Sequence, residues 1–334
     1  MKEKKVSKKL GISIFLTLAM IMAGVIVLHN NPLADPKEEL LKKVISCAVI
    51  LVACFIFIKN YDKITILPTE LWQNRRLIWK LAKNDFKKRY AGSYLGAVWA
   101  MVQPVVTVTM YFLVFDLVFN SQGPMLADGT RVPYVLSLTA GLVPWFFFSE
   151  ALNYGTAALL EYNYLVKKIV FKISILPIIK VIAASFVHVF FVVVLLVMAA
   201  GYGYYPSIYT IQLAYYSICL FIFVLALCYT TCAVAVFFKD ITQIISIFLQ
   251  VGMWATPILW NLSDMQMKFG NKVLLFKINP LVYIVDGYRS AIFERQWFWE
   301  DFFSTMYFWI ITAVLFGIGA LIFKRLKVHF ADVL

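Results

Sequence analysis

The chain has 334 residues, of which 62% are hydrophobic and only 15% charged, and its mean hydropathy is +0.81. A soluble domain carries about 25% charged residues, so this composition excludes a water-solvated globule and points to a helical protein in lipid. The net charge of +13 would suggest nucleic acid in a soluble protein. In a membrane protein it reflects Lys and Arg gathered on cytoplasmic segments, where they meet anionic lipid, and no nucleic-acid partner is expected.

Backbone amides in hydrocarbon need internal partners, so a crossing requires a helix of about 20 apolar residues. Eight segments approach that length: 11–28, 43–58, 96–119, 134–158, 177–200, 208–237, 241–260 and 303–323. The second, 43–58, is short and would cross only a thinned bilayer. An all-α polytopic membrane protein follows. With both termini inside, 22 of the 31 Lys and Arg fall on the cytoplasmic side, as orientation by positive charge requires.

Met1–Leu28 begins basic and turns apolar like a secretory signal, but no small-x-small cleavage pattern follows. A retained first helix is expected. With 43–58 it forms an N-terminal hairpin, joined by the polar turn at Asn30–Glu39, within a domain of residues 1–62. The connector 63–95 follows. On a helical wheel Leu71, Trp72, Ile78, Trp79, Ala82, Phe86 and Tyr90 share one side, with Arg76, Lys80, Lys83 and Lys87 in a stripe beside it. Tryptophan next to a basic stripe describes a helix lying in the lipid interface; the alternative, a soluble linker helix packed on another domain, lacks such a domain in this chain. Arg75 and Arg89 fall on the apolar side and must snorkel or pair.

The core covers 96–334. Its outer segment, about 261–300, holds two apolar stretches too short to cross, Val273–Ile278 and Leu281–Ile292. Asn279 followed by Pro280 is a helix-start signature. One or two helices dipping into the outer leaflet are expected, against a loop lying on the surface.

Catalytic chemistry is sparse. Neither a G-x-x-x-x-G-K-[ST] loop nor an H-E-x-x-H motif occurs, so the chain itself should hold no ATP, metal or other cofactor. The five cysteines all lie in apolar stretches and read as packing residues. His29, His188 and His329 are far apart, and His188 reads as a hydrogen-bonded structural residue. Asp116 lies near the outer end of its span. Glu150, deeper in a span, faces either a polar path or a neighbouring helix.

Several blocks then occur in a characteristic order: DFKKRYAGSYLGAVWAMVQ (Asp85–Gln103), GLVPWFFFSEAL (Gly141–Leu152), NYLVKKIVFKISILP (Asn163–Pro177), FFKDI (Phe237–Ile241), WATPILW (Trp254–Trp260), NPLVYIVDGYR (Asn279–Arg289) and RLKVHFADVL (Arg325–Leu334). From about residue 70 onward this series resembles the membrane subunit of type-2 ABC exporters, and most closely the O-antigen and teichoic-acid permeases. The resemblance implies a six-span exporter core, here with an added two-span hairpin, that moves lipid-linked cell-envelope glycan across a bacterial cytoplasmic membrane. It also implies a second copy of the chain and two ATP-binding cassette subunits, which carry ATP and Mg. An exporter of small molecules shares the architecture and stays open; a glycan-synthesis enzyme would need a paired acidic motif on a cytoplasmic loop.

The resemblance places the ATPase contact at Tyr162, Asn163, Tyr164, Lys167 and Lys168, although Lys167 and Lys168 also serve orientation. The family's docking loop has Phe-Pro and a basic residue where this chain has Phe171, Lys172 and Ile173. Sugar rings pack on aromatic faces, which nominates Tyr111, Trp145, Phe148, Trp254 and Tyr283, with Glu150, for the substrate path; aromatic belts at membrane interfaces are the alternative. Lys87, Lys88 and Arg89 suit the carrier's diphosphate. Asn279, Pro280 and Tyr288 are candidates for an outer gate.

Overall fold

A computed structural model describes residues 8–28, 36–126, 129–167, 172–262, 265 and 270–334. His29, the start of the predicted turn at Asn30, Lys168 and Phe171 lie outside these residues. The chain divides into two compact units, Met1–Arg76 and Leu77–Leu334, and the division falls inside the predicted connector.

In the first unit, α1 (Lys8–Leu28) lies antiparallel to α2 (Pro36–Gln73). The pairing is fixed by Phe15 stacked on Phe57 at 3.9 Å and by Gly11 against Tyr61, whose hydroxyl leaves no room for a Cβ. Lys8 Nζ reaches Asp62 Oδ2 at 2.5 Å, an exposed pair worth little. The second crossing is longer than its apolar run suggested. Its apolar helix covers Glu39–Asp62, 24 residues, within α2, which runs on at both ends; Glu39 and Lys43 pair along it at 3.1 Å. The helix kinks at Asn60 (φ −114°, ψ 20°).

The division falls two residues into α3 (Arg75–Arg89), and the rest of that helix opens the second unit. A turn at 90–95 leads into α4 (Trp99–Tyr111), which is preceded by a 3-10 turn, Gly96–Val98, and continues as a π-helical stretch, Phe112–Val118. Next come α5 (Tyr134–Glu161), the single turn α6 (Asn163–Val166), α7 (Leu176–Gly201) and α8 (Gln212–Phe237). The order continues with α9 (Ile241–Ala255), α10 (Pro280–Arg289), α11 (Phe302–Leu326) and a last turn, α12 (Phe330–Val333).

Helix α5 is the centre of this unit. It packs on α7 and α8, α8 packs on α11, and α10 wedges among α5, α8 and α11. Helices buried in a membrane protein gain no hydrophobic drive from one another and depend on close contact through small residues. At Gly155 an added Cβ would stand 2.2 Å from Cys228 Sγ, and at Gly319 it would stand 2.8 Å from the Ala226 carbonyl. The tail folds back, with Phe330 fully buried beside Phe237 and Phe323.

Among the described residues seven helices are long and apolar enough to cross a membrane, which makes this a multi-pass membrane protein. The expected crossing at 241–260 is shorter than read. Its helix stops at Ala255 because Pro257 pushes Thr256 into extended backbone (φ −93°, ψ 138°), as the residue before a proline prefers. Fifteen residues rise only about 22 Å. The expected helix start at Asn279–Pro280 is present, with the Asn279 side chain accepting from the Leu281 amide at 3.1 Å. The helix it begins is mostly buried in protein rather than lying on the surface.

Close contact at Gly155 makes a direct test. Gly155→Val should lower the thermal midpoint of the detergent-purified protein by several degrees, since overpacking costs about 1–3 kcal/mol. Gly24→Ala, where nothing lies within 4 Å, should leave the midpoint unchanged.

Candidate functional site

Two polar clusters sit at opposite ends of α5. The first gathers around Asp85 of α3, which is 6% exposed. Apolar contact brings α3 there: Ile78 and Ala82 are buried, and Phe186 of α7 takes the edges of Trp79 and Phe86. Asp85 Oδ1 accepts from Tyr162 Oη and from Lys180 Nζ, both at 2.7 Å. Its Oδ2 accepts from Arg89 Nη2 at 3.1 Å.

Arg89 continues the network. Its Nη1 donates to Glu150 Oε1 at 2.7 Å, and its guanidinium lies 3.7 Å from the centre of the Tyr154 ring. Lys180 also pairs with Glu161 and sits over the Tyr162 ring. Burial alone would raise the Asp85 carboxyl; hydrogen bonds from Lys180 and Tyr162, with the charges of Lys180 and Arg89, outweigh it and hold the group below the usual carboxylate range. Burial and the bond to Asp85 push the Tyr162 phenol well above its ordinary value. One carboxylate therefore ties α3, the end of α5 and the start of α7 together.

The second cluster surrounds the break after α9. Backbone carbonyls freed there need partners. Arg289 supplies them, donating from Nη1 to the Pro257 carbonyl at 2.8 Å and from Nη2 to the Ile258 carbonyl at 3.0 Å. Its Nε reaches the Ser137 carbonyl of α5 at 3.4 Å. Asn279 Nδ2 donates to Thr256 Oγ1 at 2.9 Å, and Tyr134 Oη donates to the Leu259 carbonyl at 2.8 Å. Both ends of α10 are thus stitched to one break. Beside it, Tyr288 Oη meets Ser217 Oγ at 2.6 Å and His188 Nε2 at 3.0 Å, so His188 is hydrogen-bonded within the packing.

The profile of the family described as ABC-2 type transporter matches residues 76–293. The chain belongs to the ABC-2 type transporter family. A protein of Myxococcus xanthus named O-antigen export system permease protein RfbA is 28% identical over 266 residues, 80% of this chain and 98% of that relative. A Klebsiella pneumoniae protein of the same name is 26% identical over 257 residues, 76% of this chain and 93% of that one. The ABC-2 match takes in both polar clusters, from Asp85 to Arg289, and leaves α1, α2 and α11 outside it.

The residues singled out in the sequence fall in different settings of this ABC-2 chain. Trp145 and Phe148 are buried, with Phe148 stacked on Phe223 at 5.9 Å and Trp145 against Gly252, so within one chain they meet side chains rather than a passage. Trp254 is 63% exposed, and Tyr111 is half-buried beside Phe115. Tyr283 bonds Tyr215 and Thr305 at 3.1 Å each. Glu150 faces a helix neighbour, Arg89. Lys87 and Lys88 are exposed, as are Asn163, Tyr164 and Lys167, while Tyr162 is buried against Asp85. Among the described residues no three His, Cys, Asp or Glu side chains cluster as metal ligands would.

Asp85, Lys180, Glu161 and Arg289 were not singled out. A signal existed for two of them. Asp85 stands four residues before Arg89 on the same apolar side, the spacing of a helical ion pair, and Lys180 follows Pro177 inside an apolar run. Lys180→Met would remove one of the three donors around Asp85 and should destabilise the protein by about 1–3 kcal/mol. Thermal melting of the single variant beside Lys180→Met with Asp85→Asn checks this, with much of the loss recovered in the double variant.

Proposed function

We propose that this chain is the membrane permease subunit of an ATP-driven exporter of O-antigen-type polysaccharide linked to a lipid carrier. The observation that supports this reading is the alignment with O-antigen export permeases along nearly their whole length. The absence of a phosphate-binding loop from the sequence is in keeping with hydrolysis on separate subunits, which would bind ATP and Mg.

In this reading two copies assemble by two-fold symmetry in a bacterial cytoplasmic membrane, with both termini inside. The excess of Lys and Arg in segments 59–95 and 167–180 supports that orientation. Helix α9 with the turn after it makes the seventh of eight crossings. The exposed turn α6 offers Asn163, Tyr164 and Lys167, with Lys168 beyond, to the ATP-binding subunit. Tyr162 passes its movement to Asp85 and so to α3 and α7. Exposed Lys87 and Lys88 draw the carrier's diphosphate, and Arg89, anchored by Asp85 and Glu150, fixes the helix end that presents them. Tyr111 and Trp254, facing outward from one chain, meet the glycan where the second copy completes a passage, with Trp145, Phe148, Glu150 and Tyr283 behind them. Asn279, Pro280 and Tyr288 hold the outer gate.

The test is reconstitution with the partner ATPase in vesicles. Lipid-linked O-antigen should stimulate ATP hydrolysis severalfold; stimulation by small apolar drugs alone would overturn the assignment in favour of a small-molecule exporter. Tyr162→Phe removes one hydrogen bond to Asp85 and keeps the ring. It should retain basal hydrolysis yet lose most of the glycan stimulation, measured as the ratio of stimulated to basal rate. Lys167→Glu should weaken co-purification of the ATPase.

A further inference from the structure

Below α10 lies a cavity of about 500 Å³. Its walls carry two kinds of side chain. Trp297, Phe298, Tyr283 and Tyr307 supply aromatic surface, and Asp286, Glu294 and Asp301 supply carboxylates. In a chain of net charge +13 a cavity with three carboxylates runs against the average. Arg289 also borders it; its guanidinium donates to three backbone carbonyls and lies 3.8 Å from Asp286 Oδ1, whose side chain is 44% exposed. Lys277 stands exposed on the same lining. Glu294 Oε2 accepts from Ser290 Oγ at 2.7 Å and Asp301 Oδ1 from the Ser304 amide at 3.3 Å, so each carboxylate keeps free acceptor capacity toward the cavity.

The aromatic wall is held in place. Gln212, 2% exposed, donates from Nε2 to the Gln296 carbonyl at 2.8 Å and accepts from the Phe298 amide at 2.7 Å. Thr305 Oγ1 donates to the Phe298 carbonyl at 2.6 Å, and Glu300 Oε1 accepts from the Trp297 amide at 3.1 Å. Trp297 stacks on Trp299 with centroids 4.5 Å apart, and Phe298 stacks on Tyr215 at 4.0 Å. A loop of aromatics whose backbone is pinned by a buried amide is preorganised to receive something.

Stacked rings with carboxylates across a partly open cavity match a sugar unit, whose C–H face packs on the ring while its hydroxyls donate to the carboxylates. The same carboxylates repel phosphate and would favour an amine. We propose that this cavity is a saccharide subsite that accepts neutral or amine-bearing sugar units and rejects phosphodiester-linked ones. The inference rests on the export reading and narrows it, making a polyphosphate polymer of the teichoic-acid kind a poor cargo.

Calorimetric titration of the full detergent-purified chain tests it. The probes are N-acetylglucosamine trimer, glucosamine trimer and glycerol phosphate trimer. Both sugar trimers should bind, glucosamine trimer more tightly, and glycerol phosphate trimer at least about tenfold more weakly. Trp297→Ala should weaken both sugars about tenfold, and Asp286→Asn should reduce the preference for the amine severalfold. Should Trp297→Ala fail to fold, Asp286→Asn decides alone. Equal or tighter binding of glycerol phosphate trimer, no binding of either sugar, or an unchanged preference in Asp286→Asn would overturn the subsite. Loss of the subsite with glycan-stimulated hydrolysis intact leaves the export reading standing; absence of stimulation in the unaltered complex removes that reading itself.

Discussion

A buried carboxylate in a membrane protein is costly unless donors surround it, and Asp85 has three. Tyr162, Lys180 and Arg89 reach it from the end of α5, from α7 and from one turn further along α3. Without them α3 would hold to the core only through Ile78, Ala82 and the rings around Phe186. Because the donors come from three elements, none can shift without leaving Asp85 short of a partner. The chain beyond Tyr162 forms α6 within one residue, so any force on that turn arrives at this carboxylate first.

The other end of α5 obeys the same logic with the charges reversed. There a buried cation, Arg289, answers carbonyls that Pro257 has taken out of helical pairing. Asn279 and Tyr134 complete the junction. Helix α5 therefore joins an anion-centred cluster to a cation-centred one through an interior of small and aromatic side chains, Gly155 against Cys228 among them. Pro144 interrupts its hydrogen-bond ladder part-way, so the two clusters are joined by one helix with a weak point near its middle.

Much of the fold could be read from sequence because apolar length and charge bias act locally. The crossings at 96–119, 134–158, 177–200, 208–237 and 303–323 depend on nothing beyond their own residues, and the start at Asn279–Pro280 is a matter of neighbouring atoms. The differences come from neighbours that apolar length does not weigh: Pro257 ends α9 five residues early, and polar residues at both ends of the second crossing stay helical. The sites were less legible. Arg89 had to pair, as its place on the wheel demanded, but its partner Glu150 lies 61 residues away and Lys180 lies 95 residues from Asp85. Trp145 and Phe148 show the converse. Their composition suits a sugar path, and only tertiary packing reveals them facing their own chain.

Hydrogen exchange across α3 in Asp85→Ala tests the clamp most directly. The account predicts that amides of residues 77–89 exchange at least about tenfold faster than in the unaltered chain, an opening easier by about 1.4 kcal/mol, while α5 and α8 keep their protection. Unchanged protection of α3 in a folded variant would contradict it.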